Sequence, residues 1–384
     1  MSKFSRRTMA NVSVGTTVML GLVGVMAGTG VATTAIGASD GLTWLSDSED
    51  GTIGQLNGNS DKVDQRYQVG AAGDELDVEQ RDGVLIVTNK TTGVVTTIDM
   101  ADMSAGGTRD LPSGAGSKVL SGGGSSYVVD TKSGTVTRMD PLNAQDVGAP
   151  WKAGRTIEDA AIDGEGHLWV SGPDGVSEVV WNPRDKSMSE RRFTRAANPG
   201  GTRMTGHHPR GATLTAPGMV QQLGTGTGGV RREDQLAGPF EVAELTEKAT
   251  FVPVAQPESA LVSLLHKGSL VTINTGDFGC SKPTTPATYR DIAYVVCAGQ
   301  NKVIRLTPDG KLAGDPVQTK GKGDAELIWD EDRLVMNAPG ADEGVVVGRD
   351  GEPRPFDRSA PEEPGELGDR GVIGDGRQVA SDDR

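Results

Sequence analysis

One motif returns along this chain at spacings of 42, 42 and 41 residues, counted between Trp44, Ile86, Val128 and Trp169. The copies read Asp40-Gly-Leu-Thr-Trp44-Leu-Ser with Gly51-Thr-Ile-Gly-Gln-Leu56, then Asp82-Gly-Val-Leu-Ile86-Val-Thr with Gly93-Val-Val-Thr-Thr-Ile-Asp99. Ser126-Tyr-Val128-Val-Asp with Gly134-Thr-Val-Thr-Arg-Met-Asp140 follows, and then Gly166-His-Leu-Trp169-Val-Ser with Gly175-Val-Ser-Glu-Val-Val180. Each copy is an apolar run, a turn of small or charged residues, and a second run in which apolar residues alternate. Alternation at period two across a polar turn is the pattern of a hairpin. A repeat of about 40–45 residues is the length of one four-stranded blade, which buries its faces only against neighbouring blades. The 55 glycines among 384 residues and the 4% aromatic content fit a turn-dense β protein.

The register weakens between Arg191 and Pro239, which hold the loop-like strings Asn198-Pro-Gly-Gly and Gly224-Thr-Gly-Thr-Gly-Gly. Gly211-Ala-Thr-Leu-Thr and Ala260-Leu-Val-Ser-Leu are later strands of the same kind. The pattern returns at Ile292-Ala-Tyr-Val-Val-Cys297 and closes with Asp332-Arg-Leu-Val-Met336 and Gly344-Val-Val-Val347. Residues 40–356 therefore predict an all-β propeller of about seven blades, with six or eight as alternatives. Residues 357–384, with Pro361-Glu-Glu-Pro364 and Ser381-Asp-Asp-Arg384, read as a disordered acidic tail.

Ahead of the repeats, residues 8–39 carry no charge, and 12–31 are the most apolar part. A helix of about 20 such residues crosses a bilayer. Lys3, Arg6 and Arg7 precede the run; Asp40, Asp47, Glu49 and Asp50 follow it, which places the N-terminus in the cytoplasm and the bulk of the chain outside. Residues 1–39 thus form a cytoplasmic stub and a transmembrane or signal segment. Ala35-Ile36-Gly37 before Ala38 is a passable cleavage site, yet a signal core spans only about 7–15 residues, so the length favours an uncleaved, single-pass anchor. Ser5-Arg6-Arg7-Thr8 is similar to a twin-arginine signal, but Met9 and Ala10 do not continue it. Beyond residue 39 the chain holds 35 basic and 52 acidic residues, a charge that repels nucleic acid. Outside the cytoplasm a lone pair of cysteines is ordinarily bonded, so Cys280 and Cys297 are expected to form a disulfide.

Three stretches carry a family resemblance: Asp74-Glu-Leu-Asp77-Val78-Glu-Gln, the pair Gly279-Cys280 and Cys297-Ala298, and Asp332-Arg-Leu-Val-Met-Asn337 with Gly351-Glu. On these the chain resembles the N-terminal propeller-like region of actinobacterial membrane-anchored surface proteins with Ig-like or fibronectin type III domains. The resemblance implies a membrane segment ahead of a propeller at the cell surface. It departs from the long members in having no Ig-like array before Arg384.

No motif in the sequence assembles a catalytic set, a cofactor site or a metal site. Gly-x-Ser-x-Gly, Walker and His-Glu-x-x-His strings are missing from the sequence. Ser46-Asp-Ser-Glu-Asp-Gly51 fails calcium-loop spacing and reads as a polar turn. His207 and His208 read as a solvated loop beside Arg203, Pro209 and Arg210, and His167 as a polar strand start. Neither they nor His266 stand at metal-ligand spacing with the cysteines. Trp44 and Trp169 read as blade packing, whereas Trp151 and Trp181 fall outside the register and are candidates for exposure. Two readings follow. One is a membrane-anchored binding or structural module for a cell-envelope protein or polysaccharide. The other is a propeller enzyme, streptogramin-lyase-like or quinoprotein-like. A convergent set of titratable groups at the mouth of the central channel would favour the second, and an apolar or Gly-lined channel the first.

Overall fold

The computed structural model describes residues 42–81, 83–194, 200–224, 229–232, 234–330, 333–359 and 364–369. The expected N-terminal membrane segment lies outside them. Among the described residues no helix is long and apolar enough to cross a membrane, and the helical content is three short 3-10 turns.

Among the described residues the strands form eight mainly antiparallel blades in a closed ring, blades 1 and 8 being joined into one seven-stranded sheet. Blade 1 holds Leu42–Asp47, Thr52–Asn57 and Lys62–Gln68; blade 2 runs from Leu76–Arg81 to Ser104–Asp110, and blade 3 from Ser117–Gly122 to Trp151–Lys152. Blade 4 runs from Asp159–Ile162 to Ser187–Phe193, and blade 5 from Arg203–His207 to Val230–Arg232. Blade 6 holds Phe251–Gln256, Leu261–His266 and Ser269–Asn274. Blade 7 runs from Pro283–Tyr289 to Val317–Gln318 and blade 8 from Glu326–Asp330 to Pro353–Asp357. In each four-stranded blade the first strand lies innermost. About seven blades were expected, with six or eight as alternatives, and the described residues form eight. Blade 5 lies in the loop-rich stretch; Gly211-Ala-Thr-Leu-Thr marks its second strand, but its neighbours are written in Thr, Gly and Gln (Met204-Thr-Gly-His207, Met219-Val-Gln-Gln-Leu223) rather than in an aliphatic run.

Every blade buries both faces, one against each neighbour, and an apolar cluster fills each of the eight junctions. Successive residues of one strand therefore serve opposite junctions. Trp44 packs with Leu85 and Ile98 of blade 2, while Leu45 packs with Val335 and Phe356 of blade 8. This is why the second strand of each repeat reads as a continuous apolar run. The alternation also corrects one anchor of the repeat. Ile86 faces forward, toward Val119 of blade 3, but Val128 faces back to blade 2, and Tyr127 is the residue that faces forward. A slip of one residue exchanges the two faces of a strand.

Two devices close the ring. Blade 1 has no inner strand among the described residues, and Gln80 of blade 2 serves its open edge: its side chain accepts from Trp44 N (3.1 Å) and donates to Leu42 O (2.7 Å). On the outside the chain continues past blade 8 as a strap. Asp357 pairs in parallel with Lys62, Gly365 bridges Tyr67, and Gly368 pairs with Ser104 of blade 2. Leu367 packs into the junction of blades 1 and 2. The part of the expected disordered tail that is described, 357–359 and 364–369, is thus held against three blades. Backbone pairing and one leucine hold it there, which an argument from low apolar content does not register.

Candidate functional site

The chain between blades 5 and 6 does not run around the rim. Glu241–Val242 adds to the axial side of blade 6's inner strand (Glu241 opposite Ala255), and Leu245–Thr246 adds in parallel to the axial side of blade 5's inner strand (Thr246 opposite His207). Residues 241–246 therefore lie inside the channel, and Gly206 N donates to Glu244 O at 2.8 Å. His207 fastens this plug. Its ring nitrogens stand 2.8 Å from Thr246 Oγ1 and 2.8 Å from Thr213 Oγ1, and burial pushes its pKa down to about 4. The solvated loop expected for His207 is overturned: it ends an inner strand and is fully buried, with two threonine hydroxyls in place of water.

Above the plug, the starts of the inner strands bring a charged position from five of the blades to the same end of the channel. Asp77, Lys118, Asp159, Arg203 and Glu326 occupy it in blades 2, 3, 4, 5 and 8. Lys118 pairs with Asp159, whose other oxygen accepts from Met204 N at 2.8 Å. Lys90, on the adjoining turn of blade 2, stands 3.3 Å from Asp77. Burial works against its charge, but Asp77 together with Glu75 and Glu244 outweighs that, and its pKa stands raised. Glu326 accepts from Ser46 Oγ (2.6 Å) and Asn337 Nδ2 (3.1 Å); burial nevertheless holds its pKa above the ordinary carboxylate range. On the floor, Glu244 is enclosed by the ring while its side chain keeps solvent-exposed surface, the placement of a group lining a wet cup. Its pKa is raised, first by that enclosure and then by the charge of Asp77, with Lys118 and Lys90 opposing. An enclosed carboxylate whose ionisation is disfavoured is a mark of a functional site. No sequence motif marks this cup. Its one legible signal was the spacing of 41 residues from Asp77 to Lys118 and again to Asp159.

The opposite end is narrowed. His208 meets Trp329 of blade 8 edge-on, with ring centroids 6.4 Å apart. His167 stands 3.3 Å from buried Glu178, which also takes Arg210 Nη2 at 2.7 Å. Among the described residues no His, Cys, Asp and Glu group stands in metal-holding geometry. The turn at Ser46–Gly51 is stitched to the fold through its backbone and Asp47. Trp44 and Trp169 are buried as expected, the latter donating to Asp163 at 2.9 Å. Trp151 and Trp181, the candidates for exposure, are half-buried against the junction of blades 3 and 4, and Arg138 covers Trp181 at 4.9 Å. His266 lies edge-on to Phe251. Cys280 and Cys297 are bonded, with Cα atoms 5.2 Å apart, and join the exit of blade 6 to the second strand of blade 7.

No family model matches the chain, and no curated protein matches it. Solved structures do match. The dihydro-heme d1 dehydrogenase NirN in complex with DHE is 13% identical over 83% of this chain and 74% of that one, with a TM-score of 0.56. BamB from Moraxella catarrhalis is 16% identical over 82% and 95% of the two chains, with a TM-score of 0.54. Apo AztD from Citrobacter koseri is 10% identical over 83% and 95%, with a TM-score of 0.53. What they share with this chain is the fold.

Proposed function

We propose that this protein is a cell-surface binding module of the actinobacterial membrane-anchored type. Residues 8–39 hold it in the cell membrane as a single pass, and the propeller stands outside, where its charged cup takes a cell-envelope protein or polysaccharide presenting ammonium or hydroxyl groups. The observation that carries this reading is Glu244 on a plug inside the channel, facing a mouth of charged strand starts. Carboxylates (Asp77, Asp159, Glu244, Glu326) and cations (Lys90, Lys118) alternate around the cup, an arrangement of acceptors and donors that suits a partner presenting ammonium or hydroxyl groups. The run of uncharged residues ahead of the ring and the disulfide fit a chain that works outside the cytoplasm. Protein carrying the E244Q or D77N change, compared with the parent, tests the cup: envelope fractions should retain the parent in a salt-sensitive manner and retain the variants poorly. Equal retention of all three removes the cup from the interaction.

The cup is a convergent set of titratable groups at the channel mouth, the feature that favours a propeller enzyme, so a second reading stands beside the first: an enzyme in which Glu244, with its raised pKa, is the general acid. Turnover of an envelope-derived substrate by the parent and its loss in E244Q would favour that reading. Stoichiometric binding without turnover would favour the module.

A further inference from the structure

Each other blade carries an outer strand of its own, such as Ser104–Asp110 in blade 2 and Ser187–Phe193 in blade 4, but among the described residues blade 6 stops at its third strand, Ser269–Asn274. The chain leaves nothing for a fourth. Thr275–Phe278 winds into a 3-10 turn capped by Asn274, and Cys280 is bonded at once to Cys297 of blade 7. The turn at Lys267 and Gly268 pairs His266 with Ser269, so Ser269, Val271 and Ile273 bond inward to Leu261–His266. The N–H and C=O groups of Leu270 and Thr272 therefore point outward, on the perimeter of the ring, and none of the described residues meets them.

Open edges are ordinarily blunted by charge, proline or a bulge. Ser269-Leu-Val-Thr-Ile-Asn274 has none of these, and its register is regular. Val95 and Ile98 on the third strand of blade 2, and Val303 and Ile304 on that of blade 7, are fully buried; Leu270 and Val271 are only half-buried. Leu312 of blade 7 bridges Leu306, which belongs to the junction with blade 6, so both side chains face blade 6. At 36% exposed, Leu312 is one of the few large apolar side chains left open. Charge marks the two ends of the edge. Lys267 before the strand and Asp277 after it are exposed, and neither has a counter-charge among the described residues. A row of outward main-chain donors and acceptors is filled by another strand, and the pockets beside it select alternate side chains. A fourth strand in this fold runs antiparallel to the third, as in blades 2 and 4. Its C-terminal end then meets Lys267 and its N-terminal end meets Asp277.

We propose that the outer edge of blade 6 takes an extended segment of a partner polypeptide as its fourth strand. The segment runs antiparallel to Ser269–Asn274, sets alternate apolar residues against Val271 and Leu312, and carries a basic residue at its start and an acidic one at its end. The test uses the full-length chain in detergent and the labelled peptide acetyl-KTVTVTVTD-amide, read by fluorescence anisotropy. The peptide should bind. The same peptide N-methylated at its two central threonines, which keeps the side chains and removes the ladder donors, should bind about tenfold more weakly or worse. So should the end-swapped DTVTVTVTK. T272P removes an outward N–H without touching the bonds to Leu261–His266, and should weaken the parent peptide by about tenfold with unchanged circular dichroism. K267E with D277K should reverse the preference, taking DTVTVTVTK over KTVTVTVTD. Absence of binding, equal binding of the N-methylated peptide, or an unchanged preference in the charge-swapped chain would each overturn the assignment. A chain that is dimeric as the parent and monomeric as T272P would also overturn it, by giving the edge to a second copy.

Discussion

Arg358 reaches back along the chain to Asp47: Nη2 lies 3.0 Å from Oδ2, and the two side chains are 4% and 8% exposed. One residue follows the last blade and the other ends the first strand, so this ion pair locks the seam where the ring closes. Arg358 also donates to the carbonyls of Ala338 and Ala341. Burial lowers its pKa and Asp47 opposes that.

Removing one partner of such a pair strands the other charge. R358M is expected to cost about 3–5 kcal/mol in urea unfolding, and R358M with D47N to recover part of the loss. A loss below about 1 kcal/mol for R358M would mean that the seam is held by the strap and the apolar junction alone.

His207 gives the fold an acid limit. Its pKa is about 4 in the folded chain against 6.5 ordinarily, so the unfolded chain takes up the proton first as pH falls. The stability gained from the neutral ring is complete above about pH 6.5 and is lost between there and about pH 4, amounting to about 3 kcal/mol. Denaturation of the parent and H207Q at pH 7 and pH 4.5 checks this: the parent should lose more stability than the variant. Equal losses would place the acid sensitivity elsewhere.

Glu244 works in the opposite sense. Its folded pKa is raised, so ionisation costs the folded state, and stability declines as pH rises past the ordinary carboxylate value toward the folded one. E244Q should therefore melt higher than the parent at pH 7 and level with it near pH 4. A variant that melts lower at pH 7 would show that the carboxylate supports the plug.

The Cys280–Cys297 bond closes a sequence separation of 17 residues, worth about 3 kcal/mol in the chain-entropy model. Both cysteines also belong to the junction of blades 6 and 7. C280S with C297S should lose about that much stability and still fold. Peptide mapping of the unreduced, exported protein should show these two residues joined.

The repeat was legible in the sequence because a strand buried on both faces must be apolar throughout, as in Val84–Asn89 and Ile292–Cys297. Blade 5 was legible only in its second strand, at Gly211-Ala-Thr-Leu-Thr, since the others are rich in Thr and Gln; Thr205, Thr213 and Thr215 are buried all the same. The disulfide followed from residue type and compartment. The cup did not follow, because it is assembled from residues far apart in the chain, and only the even spacing of Asp77, Lys118 and Asp159 marked it. The plug is further from view still: nothing in Glu241-Val-Ala-Glu-Leu-Thr246 distinguishes a segment lying in a channel from a surface connection.

The channel mouth is the face proposed to meet a partner. A photo-crosslinking residue placed at position 90, beside Asp77, and one at position 188 on the outer strand of blade 4 should be irradiated on intact cells. A discrete crosslinked envelope product is expected from position 90 and none from position 188. A product from position 188 alone, or none from position 90, would contradict it.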